Sequence, residues 1–301
     1  MKKENTSLYT MATEAANPQT AGLDQMTPLQ IARKINGQDF NAARAVKQAA
    51  KPISQAIRAA AQAFMNRHKI IFIGAGTSGR LGVLEAAECV PTFGTKPSQI
   101  IGIIAGGKNA MFRAKEGAED NRVQGAKDVQ AKARAGDFVI GLTASGVTPY
   151  VLGALEQARR LGAQTALLTC NPKADFSSAD IALFLPTGPE ALAGSTRMKA
   201  GSATKMALNA ITTGAMALCG KMYGNLMADV RPTNKKLVAR ATRLIMQIAH
   251  TDEKTAARYL TLSGNQVKTA CVMICKQADK AAAQKLLKKS RGFLGKVLHE
   301  K

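Results

Sequence analysis

Residues 194–206 read GSTRMKAGSATKM. Ser195, Thr196, Ser202 and Thr204 supply hydroxyls there, and Arg197, Lys199 and Lys205 supply positive charge. Small donors and cations packed this densely suit an anion. Two further stretches share the texture: GAGTSGR at residues 74–80 and TASGVTPY at residues 143–150. Each sets Ser/Thr hydroxyls beside glycine, just ahead of a helical pattern. The free N–H groups of a helix N-terminus can then join the hydroxyls around a phosphate. Any one of these is an ordinary strand-to-helix turn; three together point to a small phosphorylated ligand. Gly74, Gly76 and Gly79 have the spacing of a dinucleotide loop, but the next strand, QIIGIIAGG, carries no acidic residue to hold a ribose. The lysine of a nucleotide P-loop is missing as well.

Loops of this kind need a scaffold that brings them together. KIIFIGAG, QIIGIIAGG, DFVIGLTASG, TALLTC and ADIALFLP are short continuous apolar runs, the pattern of strands covered on both faces. Between them lie the helical segments GRLGVLEAAE, AKEGAEDNRVQGAKDVQAKAR and PYVLGALEQARRLG, and the connector PKADFSS. Strand and helix in alternation predict an α/β fold with a parallel sheet and right-handed crossovers. In such sheets ligands bind at the carboxyl ends of the strands, where all three loops fall. Residues 27–67 have a helical period, with Thr27 as N-cap and Pro28 at the first helical position. A long helix follows the third loop, Pro232 marks a break, and residues 233–301 read as several short helices. The expected division is an N-terminal arm and helices over 1–59, the α/β domain over 60–223 and a helical region over 224–301.

The chain has 301 residues, 46% of them hydrophobic, enough to build a real core. No apolar run reaches the roughly 20 residues of a membrane helix. The first residues are polar without the apolar stretch of a secretory signal, so the expectation is a cytoplasmic protein with no membrane partner. The five cysteines (Cys89, Cys170, Cys219, Cys271 and Cys275) show no CxxC spacing and read as buried free thiols. The net charge is +22, and residues 233–301 carry 15 Lys and Arg against 4 Asp and Glu. There is no Trp to interleave with these cations, so the reading is a solvated basic surface and not a nucleic-acid site.

The loops GTSG and ASGVTP resemble the sugar isomerase domain, which implies a flavodoxin-like, five-stranded parallel sheet with helices on both faces. The resemblance narrows at GAGTSGRLGVLEAAECVPTFG, EGAED, NPKAD, GSTRMKAGSATKMALNAITT and GKMYGNLMADVRPTNKKL. These are similar to the N-acetylmuramic acid 6-phosphate etherase family, and the similarity extends over TEAANPQTAGLDQMTPLQIARKING and the helical tail. Two positions depart from the pattern: Val147 stands where the family usually has Arg, and Val90 where it usually has a second proline.

The resemblance implies a lyase that cleaves the D-lactyl ether of its sugar 6-phosphate, giving N-acetylglucosamine 6-phosphate and D-lactate in cell-wall amino sugar recycling. Such an ether has a poor leaving group. Opening the sugar ring exposes an aldehyde that acidifies the C2 proton. A base can remove that proton while an acid protonates the C3 ether oxygen, so two carboxyl groups of unequal pKa are needed, and no metal or other cofactor. Glu85 and Glu88 are three residues apart on a predicted helix, as are Glu116 and Glu119. By resemblance Glu88 is the proton donor and Glu119 the second acid–base residue. Thr77, Ser78, Thr143, Ser145 and Thr148 are expected to bind substrate, with Glu190, Ser195, Thr196 and Lys199 closing the site. Arg197 and Lys199 have a competing reading as a structural pair that holds the loop.

Ser78 and Glu88 are ten residues apart, about 15 Å on one helix, too far for one hexose phosphate to span. Either that helix ends early, or the two residues serve different copies of the site in a homodimer. A non-catalytic sugar-phosphate sensor and a sugar-phosphate isomerase are the alternative functions.

Overall fold

Five short strands form the centre of the protein: β1 Ile70–Gly74, β2 Ile100–Ile104, β3 Phe138–Leu142, β4 Gln164–Thr169 and β5 Ile181–Phe184. All pair in parallel, in the order β2-β1-β3-β4-β5. The computed structural model describes residues 13–230, 232 and 234–299. β1 lies between β2 and β3, with Gly74 level with Ile104 on one side and Leu142 on the other. Every residue of β1 and β3 is buried, which is why these strands read as unbroken apolar runs.

The helices that begin in this α/β unit are α1 Pro28–Gln48, α2 Ala50–Met65, α3 Gly76–Phe93, α4 Arg122–Gln130, α5 Pro149–Arg160 and α6 Lys199–Leu218. Thr27 caps α1 through a reciprocal capping box with Gln30, and Pro28 opens the helix, as its sequence predicts. One face of the sheet packs Ile71, Ile73, Val139 and Leu167 against Val129 of α4 and Tyr150, Val151, Ala154 and Leu155 of α5. Strand alternation turns Ile70 and Phe72 to the other face, where α3 passes close over Phe72 at Gly82. The flavodoxin-like sheet with helices on both faces is therefore present.

The chain divides into two compact units. The α/β unit takes the residues up to Ala87 and Ser98–Thr212, so α1 and α2 belong with the sheet. The second takes Glu88–Pro97 and Thr213–Lys301. It contains the helices α7 Lys235–Ala249, α8 Glu253–Leu262, α9 Val267–Cys275, α10 Lys280–Lys289 and α11 Leu294–His299. Leu244, Ile245, Ile248, Leu260, Cys271, Val272, Leu294 and Val297 form its core. Asn234, Asp252 and Asp279 cap α7, α8 and α10 through their side chains. Lys268 is tied by Asp229 at 2.8 Å and by the carbonyls of Gly220 and Gly292 at 3.0 and 3.1 Å. Of the cysteines, four are buried and Cys275 is exposed, because it falls at the last position of α9.

One segment differs from its helical reading. Residues 114–121 form a loop with a short 3-10 turn at Ala118–Asp120, and α4 begins only at Arg122. Gly117 takes a left-handed φ of 70°, and the Asn121 side chain accepts from the Gln124 N–H at 2.8 Å, starting the helix afresh. Glu116 and Glu119 therefore do not share a helix face.

The step from β1 into α3 is set by close approach. A Cβ on Gly79 would fall 2.6 Å from the Gly74 carbonyl oxygen and 2.7 Å from Ile104 Cγ1. Gly79→Ala gains about 1 kcal/mol of helix propensity, yet overpacking of this kind costs about 1–3 kcal/mol. The expected outcome is a lowered denaturation midpoint; an unchanged or raised midpoint would show that α3 can lift off the strand.

Candidate active site

The winding of the sheet reverses between β1 and β3: the chain leaves β1 for β2 on one side and continues from β3 through β4 to β5 on the other. The loops after β1 and β3 therefore diverge and leave a crevice at their carboxyl ends. A cavity of about 690 Å³ opens there, within the size range of small-molecule sites. Ala75, Gly76, Thr77 and Ser78 line it from the first loop, and Thr143, Ala144, Ser145, Val147, Thr148 and Pro149 from the second.

The second loop holds its hydroxyls in one cluster. Thr143 Oγ1 lies 3.2 Å from Ser145 Oγ and 2.7 Å from Thr148 Oγ1, and it accepts from the Gly146 N–H at 3.2 Å. Asn171 Nδ2 donates to the Ser145 carbonyl at 2.7 Å and fixes the loop from outside. Thr77 and Ser78 lie in the first turn of α3, and Thr148 is the N-cap of α5, its side chain making no cap bond. Two helix N-termini and a set of hydroxyls thus border one cavity, the arrangement that favours an oxyanion.

The carboxylates Glu14, Glu119 and Asp120 line the same cavity, with Gly194 and Thr196 from the third loop. The Glu119 carboxyl is raised above its usual pKa, first by burial and then by the charges of Asp120 and Glu116. Glu119 also borders a smaller adjoining cavity of about 140 Å³ with Arg80, Lys115 and Glu116.

Seven of the residues singled out in the sequence meet at the main cavity: Thr77, Ser78, Glu119, Thr143, Ser145, Thr148 and Thr196. Ser195 is half-buried beside Thr196, and the lining does not include it. Glu190 and Lys199 are buried elsewhere. Glu190 is fully buried, and its two carboxylate oxygens accept from the N–H groups of Lys199 and Ala200, each at 2.9 Å. It thereby occupies the N-terminus of α6. Lys199 is 1% exposed and donates to Gln38 Oε1 at 3.1 Å. Burial lowers its pKa, against the charges of Glu190 and Asp39, which raise it. The third loop thus gives the cavity Gly194 and Thr196, while its lysine holds the loop to α1.

Glu88 is exposed on α3 and is not among the lining residues. Glu85, one turn earlier, is buried and bonded to Lys205 and Thr212 of α6, so the pair does not present a common face to solvent. Helix α3 runs from Gly76 to Phe93, past both Ser78 and Glu88. Glu14 and Asp120 went unremarked in the sequence. Both stand next to motifs that the sequence displays, Glu14 in TEAANPQ and Asp120 in EGAED. Among the described residues no group of three or more His, Cys, Asp or Glu is placed to hold a metal ion, and no helix is long and apolar enough to cross a membrane.

A doubly wound parallel sheet with hydroxyl-bearing loops at its switch point defines a sugar isomerase type of domain, and residues 52–159 match the glucokinase regulatory protein N-terminal SIS domain. Over nearly the whole chain the likeness is more specific. The N-acetylmuramic acid 6-phosphate etherase of Actinobacillus pleuropneumoniae serotype 5b is 44% identical over 97% of both chains. N-acetylmuramic acid 6-phosphate etherase 1 of Bacillus licheniformis is 46% identical over 98% of both. The chain belongs to the N-acetylmuramic acid 6-phosphate etherase family. Solved structures similar to it include phosphoheptose isomerase GmhA from Neisseria gonorrhoeae, at TM-score 0.45 and 19% identity over 62% of this chain and 98% of that one. A phosphoheptose isomerase from Francisella tularensis overlaps 64% of this chain and 98% of its own at TM-score 0.46 and 20% identity.

The buried Glu190 carboxylate faces two N–H groups and stands opposite the charge of Lys199. Its removal strands all three in a dry interior. Glu190→Ala is expected to lower the unfolding free energy by about 2–4 kcal/mol, read as a fall in urea midpoint at constant slope. A midpoint equal to that of the parent chain would show that α6 is held in some other way.

Proposed function

We propose that this chain cleaves the D-lactyl ether of N-acetylmuramic acid 6-phosphate by elimination and water addition, releasing N-acetylglucosamine 6-phosphate and D-lactate. Family membership supports the reaction. The observation that carries its placement is the cavity where Ser/Thr hydroxyls at two helix N-termini share walls with Glu119. The phosphate lies among Thr77, Ser78, Thr143, Ser145 and Thr148, where N–H groups and hydroxyls are the donors. It cannot lie against the carboxylates, whose like charge repels it.

Glu119 is the base that removes the C2 proton of the open-chain sugar. Its raised pKa strengthens it as a base. The electron pair released at C2 forms the double bond and expels the C3 oxygen, and Glu88 gives that oxygen its proton, so lactate leaves as the alcohol. Water then adds at C3 and a proton returns to C2. Thr196 and Ser195 close the sugar end of the site, and Glu190 and Lys199 fix the loop that carries them.

The unbroken α3 supports a site assembled from two copies. Ser78 and Glu88 are separated by about 15 Å along it, more than a hexose phosphate spans. In a homodimer, one copy supplies the phosphate loops and the other supplies Glu88. A phosphorylated, charged substrate does not cross a membrane unaided, which supports a cytoplasmic protein.

The bond that breaks provides the test. In deuterated, heavy-oxygen water the product sugar should carry deuterium at C2 and the new oxygen at C3, while D-lactate keeps its original ether oxygen. Direct displacement at C3 would leave C2 unlabelled. Heavy oxygen in lactate would mean cleavage on the lactyl side and would remove the need for a base at C2.

The pH profile isolates Glu119. A base must be ionised in the free enzyme, so kcat/KM falls as pH drops through its pKa. Since that pKa is raised, the acid limb should lie above the ordinary glutamate value of 4.5. Asp120→Asn removes one of the charges that raise it and should move the limb to lower pH. If the limb stays in place, it belongs to another group.

A further inference from the structure

The segment before α1 is strapped along the third loop. The Gly194 N–H donates to the Thr13 carbonyl at 3.1 Å, Asn17 Nδ2 to the Pro189 carbonyl at 3.3 Å, and Thr20 Oγ1 to the Ala191 carbonyl at 2.8 Å. Asn17 Nδ2 also donates to Gln38 Oε1 at 2.8 Å, which ties the strap to α1. Thr13, Asn17 and Thr20 are all buried. Glu14 sits between these anchors, and among the described residues of the strap it is the one that lines the cavity.

A glycine leaves room for it. Gly194 holds a left-handed φ of 75°, and a Cβ built there would fall 2.9 Å from Glu14 Oε2. The loop therefore turns where a side chain is disfavoured, and the vacated space receives a carboxylate. Arg197, the nearest cation in sequence on that loop, is exposed and does not line the cavity. Glu14 thus faces the cavity with acceptor oxygens, in company with Glu119 and Asp120.

Resting on the phosphosugar reading above, we propose that Glu14 is a sugar-binding residue: its carboxylate accepts a hydrogen bond from an O–H or the acetamido N–H of the substrate. An anionic acceptor cannot hold the phosphate or the lactyl carboxylate, so the neutral donors of the sugar are what it can recognise. The strap anchors keep it in place before substrate arrives, so little ordering is required on binding.

The test compares the full-length chain with Glu14→Ala, Glu14→Gln and Gly194→Ala. Binding of N-acetylglucosamine 6-phosphate, of glucose 6-phosphate and of inorganic phosphate is measured by calorimetry, with KM and kcat for the etherase reaction. A hydrogen bond to a charged group is worth about 10-fold or more in affinity. Glu14→Ala should weaken the sugar phosphates by at least that factor and leave inorganic phosphate unaffected, with KM changing more than kcat. Gln keeps one acceptor oxygen and should fall between. Gly194→Ala should reproduce the Glu14→Ala pattern by displacing the carboxylate. Loss for N-acetylglucosamine 6-phosphate alone identifies the acetamido N–H as donor, and equal loss for both sugars identifies a hydroxyl.

Unchanged affinity in Glu14→Ala overturns the assignment. So does an equal loss for inorganic phosphate, which marks a merely structural strap, and so does a fall in kcat at constant KM. If the parent chain binds none of the three ligands, the phosphosugar reading falls together with this one; if it binds them and Glu14→Ala binds them equally, only the Glu14 assignment falls.

Discussion

The reversal of winding between β1 and β3 is the constraint on which the rest of this structure depends. Two adjacent parallel strands send their chains in opposite directions, and the space between their carboxyl ends cannot be filled by either connection. Gly74 and Gly79 sharpen the effect. With no Cβ at either position, α3 begins directly at the end of β1, so Thr77 and Ser78 lie in the helix's first turn. The loop after β3 folds its own hydroxyls into a cluster through Thr143. The donors for an oxyanion are thus supplied by backbone topology and by short side chains that cost little entropy to order.

The third strand-end loop has a different fate, and electrostatics explains it. Like α3 and α5, α6 presents free N–H groups and a positive dipole end. Glu190 fills that position from within the protein. Closing one of three N-termini with an internal carboxylate leaves the other two for a ligand and fixes the loop that carries Thr196 to the cavity. Despite the net charge of +22, the charged residues that line this wall, among the described residues, are the three carboxylates Glu14, Glu119 and Asp120. In the helical unit, Asp252 and Asp279 act as N-caps, so part of its sparse negative charge is committed to the backbone.

The sheet was legible because burial on both faces leaves a plain signature: β1 and β3 are buried at every position and read as continuous apolar runs. The hydroxyl loops were legible for the same topological reason, since they follow the strands whose ends must meet. The region around Glu119 misled, because charged and small residues in AKEGAEDNRVQGAKDV have helical propensity. The left-handed turn at Gly117 and the Asn121 cap divide it in two. The sequence reads Glu190 and Lys199 as closing the substrate site, with a competing structural role for Lys199 as a residue that holds the loop. Their mutual burial, with the α6 N-terminus and Gln38 as partners, accords with the structural role. Glu14 lies in a motif the sequence displays, TEAANPQ, but nothing local assigns it to the cavity: what places it is the strap across residues 189–194, a contact far away in sequence.

The continuity of α3 has a consequence for how such a site divides its labour. Its first turn carries Thr77 and Ser78 and its fourth carries Glu88. Helix α3 does not break between them. On the composite-site reading, a two-fold axis solves this without any flexibility. Each copy contributes its first turn to one cavity and its exposed glutamate to the other, and the isologous interface guarantees that both cavities are completed at once. Binding and proton donation would then reside on different copies. On that reading Glu119, the proposed base, would stay with the copy that holds the phosphate, because the cavity that Glu119 lines is the same one lined by the hydroxyl loops. Elimination needs its base and acid on opposite ends of one short bond system, and on the composite-site reading the two copies would reach it from opposite sides.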